Sequence, residues 1–309
     1  MKQFKLYNKI AGWATFTIAA LTYLLTIEPT ASFWDCGEFI ATAVKLEVGH
    51  PPGAPLWMII GRVAALFACG DVTKMAMMVN AAAALASAFT VLFLFWSITH
   101  IARKLINNIY YKGVKDEKSI SYTMHETVIM LASGVVGSLI YCFCDTAWFS
   151  AVEGEVYSMS SLFTAVVFWC ILKWEECADE KYANRWIILI CYLMGLSIGV
   201  HLLNLLVIPA IVFVYYYKKY KTTQRGTITA LGISLILLVA ILYGIIPQSV
   251  KISAYFDLLF VNVFGMSYLS GTLFFVIVLA AGLSFLIWWS HKKKKVLLNT
   301  IALGAAVML

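Results

Sequence analysis

Residues 81–101 read AAAALASAFTVLFLFWSITHI, a run without Asp, Glu, Lys or Arg. One helical crossing of a bilayer core requires about 20 consecutive apolar residues, so this run is predicted to be a membrane-spanning helix. The whole chain has the same character, since 62% of its 309 residues are hydrophobic and only 13% are charged. Soluble domains carry about 25% charged residues. The composition therefore excludes the soluble classes and predicts a membrane protein.

Further apolar runs of similar length lie on both sides of 81–101. They predict an all-α, polytopic transmembrane helical bundle with about eight complete spans and the start of a ninth. The first run follows a basic start and is predicted to be an uncleaved signal anchor. The last run is short and is interpreted as a truncated span. The predicted spans are 10–27, 81–101, 127–143, 158–174, 186–202, 203–217, 227–246 and 272–289, followed by the run 296–309.

The basic residues indicate the orientation of these spans. The formal net charge is +7, and all but four of the 23 Lys and Arg residues lie at the N-terminus, in alternate connections or at nearby helix ends. This distribution follows the positive-inside rule and is not a nucleic-acid-binding pattern. It predicts a multi-pass inner-membrane protein with a cytoplasmic N-terminus. The basic clusters lie at 2–9, 103–118, 173–185, 218–225 and 292–295, and the four exceptions are Lys45, Arg62, Lys74 and Lys251.

Residues 28–80 are predicted to form a large first periplasmic loop. The apolar run at 55–68 contains Arg62 and is too short to cross a bilayer comfortably. Short helices lying in the membrane interface are therefore expected in this loop. The seven cysteines of the chain are odd in number and none has metal-site spacing. Neither a disulfide framework nor a zinc site is predicted.

The loop carries two dense motifs, FWDCGEFI at 33–40 and GHPPGAPLW at 49–57. On a helix, Asp35 and Glu38 would share a face at spacing i,i+3. A carboxylate beside a second acid can be tuned as a general base. The same spacing also suits a capping box, and the two interpretations remain open. His50 precedes a rigid proline elbow and is a candidate for either a structural or a functional role.

Arg62 is an isolated basic residue on the acidic side of the membrane. A charge in an apolar run needs a partner, and pairing with Glu38 or Glu47 is one interpretation. The other is that its guanidinium holds the phosphate of an anionic lipid. The sequence does not choose between them.

A second external segment, 145–157, reads DTAWFSAVEGEVY. Glu153, Glu155 and Tyr157 combine carboxylates with an aromatic ring, which suits sugar binding but also an ordinary interfacial aromatic belt. A near-absent turn around 201–204 places His201 at the same surface. We predict that the acids of both external segments line one cavity.

Four motifs together carry a family resemblance. They are the two motifs of the first loop, AVEGEVY at 151–157 and GLSIGVHLLN at 195–204. They resemble the GT-C superfamily of membrane glycosyltransferases, and more narrowly a bacterial family related to an animal transmembrane protein O-mannosyltransferase. The resemblance covers essentially all of 1–309. It implies a GT-C-like transmembrane catalytic domain, truncated at its C-terminal end, because family members extend further with more spans and a soluble region.

The resemblance implies an inverting transfer of a sugar, mannose or another hexose, from a polyprenyl-phosphate donor to a hydroxyl. The acceptor would be a Ser or Thr of a periplasmic protein. Asp35 matches the early acid of the superfamily and would be the general base, supported by Glu38. No cofactor is implied, and the absence of an Asp-x-Asp pattern argues against a metal.

Placement, rather than the resemblance, selects the remaining site residues. They are predicted to bind substrate at the periplasmic face, and no nucleic acid is expected as a partner. A transporter or flippase of lipid-linked sugars and a noncatalytic scaffold are the alternatives. The predicted substrate-binding residues are His50, Arg62, Glu153, Glu155, Tyr157 and His201.

Overall fold

A computed structural model describes residues 2–51, 53–114 and 119–308, and within these ranges the chain forms helices and no strands. Pro52 of the GHPPGAPLW motif, with Lys115 and Lys118 of the basic cluster 103–118, lies outside these ranges. The all-α prediction is confirmed. The helices are α1 (Lys2–Leu25), α2 (Cys36–Lys45), α3 (Pro55–Leu66), α4 (Met75–Tyr110), α5 (Met124–Cys142), α6 (Asp145–Val152), α7 (Val156–Cys177), α8 (Asn184–Ile198), α9 (Ile208–Lys219), α10 (Gln224–Val239), α11 (Ile246–Asn262), α12 (Ser270–Lys292) and α13 (Val296–Met308).

Six helical stretches in these ranges are long and apolar enough to cross a membrane, which identifies a multi-pass membrane protein. They coincide with six of the predicted spans. Of the other two, α1 carries lysines in its first half, and α8 has 15 residues, about 22 Å at 1.5 Å per residue. The count of eight spans therefore stays a prediction. The six stretches are Val72–Tyr110, Met124–Cys142, Val156–Cys177, Leu202–Lys219, Gln224–Asn262 and Ser270–Lys292.

Two predicted boundaries differ from the structure. The first loop does not extend to residue 80, because α4 begins at Met75 after a 3-10 turn at Val72–Lys74. The helix expected to end at Ile246 instead continues through a π turn into α11. The π turn at Ala240–Ile245 lies directly before Pro247. Because a proline inside a helix removes one backbone hydrogen bond, a local change in the hydrogen-bond pattern at this point lets the helix continue past it.

The chain divides into two compact units, 1–172 with 197–204, and 173–196 with 205–309. In the first unit α1, α3, α5 and α6 all contact α4. Three alanines of α4, Ala83, Ala84 and Ala88, are fully buried, and such small residues let helix backbones approach closely within a membrane. The four helices that contact it make α4 the centre of the unit. Two of them are also joined to each other, because the hydroxyl of Tyr23 in α1 donates to the Cys142 carbonyl of α5 at 2.9 Å.

The short helices α2 and α3 pack on each other and on α4 through buried apolar side chains, among them Phe39, Ala43 and Trp57. With 12 residues, α3 is about 18 Å long and does not span a core of about 30 Å. The prediction of short helices in the first loop is confirmed. Their packing against α4 fixes the position of the segment that carries the acids.

In the second unit α12 contacts α11 and α13, and α9 contacts α10. Asp257 of α11 accepts backbone hydrogen bonds from Leu269, Gly271 and Thr272 at 3.3, 3.1 and 3.4 Å. The carboxylate therefore holds the start of α12 against α11, and a tight connection, 263–269, joins the two helices.

Candidate active site

The segment between α1 and α2 is held to two distant parts of the first unit. The Glu28 backbone N–H donates to the Val152 carbonyl at 3.1 Å. The Asn80 side-chain amide donates to the carbonyls of Glu28 and Thr30 at 2.7 and 2.9 Å. These bonds place the start of the first loop beside the connection that follows α6.

Asp35 occupies the N-cap position of α2, but its side chain makes no capping hydrogen bond. The capping-box interpretation of Asp35 and Glu38 is therefore wrong. The preceding residue, Trp34, has a φ of 62°, a left-handed conformation that costs free energy in a bulky residue. The Asp35 side chain is exposed, so its carboxylate is accessible to a substrate.

Glu38 is held by His50. The carboxylate accepts the His50 backbone N–H at 2.6 Å and lies 3.2 Å from the imidazole Nδ1. The backbone N–H of His50, followed by its ring, lowers the pKa of Glu38, because both stabilise the ionised form. Gly49 permits this approach, since a Cβ there would stand 3.1 Å from Glu38 Oε1. Asp35, Glu38 and His50, with ligand atoms within 4.8 Å of one another, form the exposed cluster.

A second group of acids lies deeper. The Ser32 hydroxyl donates to Glu153, the Cys36 thiol donates to Glu155 at 3.6 Å, and Cys36 is fully buried. Glu153 and Glu155 are only 8% and 7% exposed. Ser32, Cys36, Glu153 and Glu155 form the buried cluster. Gly154 is required between the two acids, because a Cβ there would lie 2.7 Å from Asn80 Oδ1.

Burial changes the protonation of this cluster. It raises the pKa of Glu155, and the negative charges of Glu153 and Asp35 raise it further, against the opposing hydrogen bond from Cys36. Burial also raises the pKa of the Cys36 thiol to about 12, so the sulfur stays protonated at neutral pH. Because Asp35 and Cys36 are consecutive residues, the contact between Cys36 and Glu155 places the two clusters next to each other.

The two external segments therefore meet in the structure through the Ser32–Glu153 and Cys36–Glu155 contacts, and that their acids line one cavity stays a prediction. Acids separated by more than a hundred residues in sequence lie side by side, one set accessible and one set buried. Carboxyl groups whose environments move their pKa values in opposite directions are the usual basis for dividing acid and base roles in an active site.

Arg62 is placed differently from the prediction. Its guanidinium donates to the Val44 carbonyl at 2.6 Å, and within the described ranges it forms no ion pair with Glu38 or Glu47. Val44 lies nine residues beyond Asp35, about 13 Å along α2. Arg62 thus ties α3 to the C-terminal end of α2, and the pairing interpretation is wrong.

Tyr157 and His201 form a neighbouring aromatic pair with ring centroids 5.4 Å apart. His201 Nδ1 accepts the Leu203 backbone N–H at 3.1 Å, and burial lowers the pKa of the imidazole. The Leu56 N–H donates to the Gly199 carbonyl at 2.8 Å, which ties this turn to the start of α3. Tyr157 follows Glu155 by two residues in sequence and is half-exposed.

Three residues of the site were not predicted from the sequence. They are Ser32 and Cys36, which donate to Glu153 and Glu155, and Asn80, which donates to the carbonyls of Glu28 and Thr30. A signal existed for Asn80, because it is an isolated amide at the start of a long apolar run. Ser32 and Cys36 gave no such signal, since their contacts are to residues more than a hundred positions away.

The exposed cluster also has the chemistry of a cation site. It offers two carboxylates and one imidazole nitrogen, a donor set that suits Mn²⁺ or Zn²⁺. The buried cluster offers one sulfur and two carboxylates, but its sulfur is a protonated thiol. The expectation that no metal is required stays a prediction.

Comparison with known proteins identifies the family. Residues 35–224 match the N-terminal domain of protein O-mannosyl-transferase TMEM260. The chain belongs to this family. The matched region begins at Asp35 and contains every site residue predicted from the sequence, and the resemblance to O-mannosyltransferases is confirmed.

Two curated relatives support the assignment. Protein O-mannosyl-transferase TMEM260 of Mus musculus is 25% identical over 213 residues, which are 68% of this chain and 26% of the mouse protein. The Dictyostelium discoideum protein of that name is 21% identical over 152 residues, 49% of this chain and 15% of the relative. The chain thus spans about a quarter or less of each relative. No solved structure is significantly similar to it.

Proposed function

We propose that this chain is the membrane-embedded catalytic part of an inverting, GT-C-type glycosyltransferase. It transfers mannose or another hexose from a polyprenyl-phosphate donor to a Ser or Thr hydroxyl of a periplasmic protein. One observation carries the proposal: within the family's N-terminal domain, the accessible Asp35 lies beside Glu38 and His50 and next to two buried glutamates. The family name supports the choice of sugar and acceptor.

The proposed reaction is a single displacement. Asp35 removes the proton from the acceptor hydroxyl, whose oxygen attacks C1 of the sugar while the lipid phosphate leaves, so the anomeric configuration inverts. A general base must reach the hydroxyl at about 3 Å, and the exposure of Asp35 allows this. Glu38, held ionised by His50, orients the acceptor. Glu153 and Glu155 accept hydrogen bonds from sugar hydroxyls beside the Tyr157 ring.

The leaving phosphate needs hydrogen-bond donors. His50 is the candidate within the exposed cluster, because Arg62 is engaged at the other end of α2. The reaction as proposed uses no nucleotide, cofactor or metal. By the positive-inside pattern, the N-terminus is cytoplasmic and the site opens to the periplasm of a bacterial inner membrane, where lipid donor and acceptor protein meet.

The decisive experiment compares Asp35→Asn with Asp145→Asn in full-length protein reconstituted with radiolabelled polyprenyl-phosphate mannose and an acceptor peptide. Asp35→Asn is expected to lower the initial transfer rate by about 10²–10⁴-fold, the usual contribution of a general base. Asp145, an exposed acid in the first turn of α6, is the matched control and should stay within about threefold of wild type.

The same vesicles separate the alternative functions. Translocation of the labelled lipid across the bilayer should be unchanged in Asp35→Asn. Loss of translocation together with transfer would identify a flippase instead. Equal transfer by wild type and both variants would exclude Asp35 as the base, and absence of transfer by the wild-type protein would favour a scaffold.

A further inference from the structure

The second unit contains a cavity of about 680 Å³ that the glycosyl-transfer proposal does not use. It lies between the connection from α7 to α8 and the turn from α12 to α13. Its volume falls within the range of about 300–1,000 Å³ that is usual for small-molecule sites. All of its lining residues belong to this unit.

The cavity is strongly basic. Five of its lining side chains are cationic or can become so, and no acidic side chain of the described ranges lines it. None of the five forms an ion pair with a carboxylate within those ranges. Of the two acids that directly precede Lys181, Asp179 is engaged by Lys218 and Lys219 at 3.5 and 2.9 Å, and Glu180 does not line the cavity. The five residues are Lys181, Arg185, His291, Lys294 and Lys295.

The walls of the cavity are held by hydrogen bonds. The Asn184 amide donates to the Thr300 hydroxyl at 3.0 Å, which ties α8 to α13. The Asn299 amide donates to the Ser290 hydroxyl at 3.0 Å, which ties α13 to α12. Lys294 has a φ of 54°, an uncommon conformation for a residue with a Cβ. The backbone N–H groups of Lys294 and Lys295 donate to the carbonyls of His291 and Ser290, both at 3.0 Å, so the turn that carries these two cations is a defined structure.

We propose that this cavity binds a phosphate-bearing anion, the head group of an anionic lipid or a free phosphate. Concentrated positive charge without internal neutralisation favours an anion, and Arg185 can engage phosphate with a planar fork of donors. The cavity borders the end of α12, a helix long enough to span the membrane, where lipid head groups lie. Basic pockets between transmembrane helices are known to hold such head groups.

The test uses full-length protein in neutral detergent, with phosphatidylglycerol and phosphatidylcholine added as probes and binding read by native mass spectrometry. Wild type should retain phosphatidylglycerol in preference to phosphatidylcholine. Removing three cations in Arg185→Gln/Lys294→Gln/Lys295→Gln should weaken phosphatidylglycerol binding by roughly a hundredfold. The single variant Arg185→Gln should weaken phosphatidylglycerol binding by about fivefold. This variant replaces the triple variant in the test if the triple variant does not fold.

The matched control is Lys112→Gln/Lys221→Gln/Arg225→Gln, which removes the same charge at exposed sites outside the cavity. It should bind like wild type. Equal weakening by both triple variants, or full retention by the cavity variant, would overturn the proposal. A separate arm titrates inorganic phosphate. Thermal stabilisation of wild type but not of the cavity variant, without phosphatidylglycerol binding, would identify free phosphate as the source.

Discussion

Asp35 and Cys36 are consecutive residues, yet one belongs to the exposed cluster and the other to the buried cluster. Successive helical residues point about 100° apart, so the first turn of α2 presents Asp35 to the outside and Cys36 to Glu155. The glutamates of the two clusters differ in the direction in which their pKa values are shifted. Hydrogen bonds from His50 lower the pKa of Glu38, whereas burial raises that of Glu155.

The difference shows how one site can hold both an accessible base and carboxyl groups that keep their protons more readily. The backbone positions of the clusters are set by few contacts, mainly the bonds of Glu28 and Asn80 and the packing of α2 on α3 and α4. The exposed cluster is expected to act on the acceptor, and the buried cluster on the sugar.

A double-mutant cycle on Glu38 and His50 tests whether the exposed cluster acts as a unit. Glu38→Gln and His50→Ala should each lower the initial transfer rate by about ten- to a hundredfold. The double variant should be no slower than the slower single variant, because residues that act together are strongly non-additive.

Initial rates of mannose transfer to a peptide provide the measurement, and Glu47→Gln is the matched control because Glu47 is exposed in the same loop. If the rate loss of the double variant equals the product of the two single losses, Glu38 and His50 act independently and the exposed cluster does not act as a unit.

The pH dependence of stability should have opposite signs for the two clusters. Glu155 keeps its proton to a higher pH when folded than when unfolded, so the native state loses stability as pH rises from about 4.5 through the raised pKa. The melting temperature of Glu155→Gln should therefore rise relative to that of wild type as the pH rises above about 4.5.

Glu38 has the opposite sign. Its lowered pKa contributes stability above about pH 4.5, and that stability is lost as pH falls through the folded-state value. The deficit of Glu38→Gln should be largest at neutral pH and shrink below pH 4.5. The measurement is the melting temperature of wild type and of both variants in detergent between pH 4 and 8. If the difference from wild type changes with pH in the same direction for both variants, the two clusters do not differ in the way proposed.

The smallest expected effect concerns metal. Transfer should change by less than about twofold after dialysis against EDTA, because the proposed displacement uses protein donors alone. The assay is repeated with added Mn²⁺ or Zn²⁺, the ions that the exposed cluster suits. The opposite outcome is that EDTA lowers the transfer rate more than tenfold and that Mn²⁺ or Zn²⁺ restores the rate in wild type but not in His50→Ala. That result would show that the exposed cluster is a metal site.

Several features followed from the sequence alone. Hydropathy and charge are properties of contiguous residues, so 81–101 could be recognised as a span and 55–68 as too short to be one. The motifs around Asp35, His50 and Glu153 identified the family, because they consist of specific residues at specific spacings. Chain connectivity also indicated that the acids lie in the segments outside the long apolar runs.

Only the tertiary structure decided what each of these residues contacts. The sequence left Asp35 between capping and catalysis and Arg62 between ion pairing and phosphate binding, and it ended a span before Pro247. Packing of α2 and α3 on α4 exposed Asp35, directed Arg62 to the Val44 carbonyl and buried Glu155 beside Cys36. The physical reason is that burial, hydrogen bonding and pKa depend on atoms brought close by folding, here from segments more than a hundred residues apart.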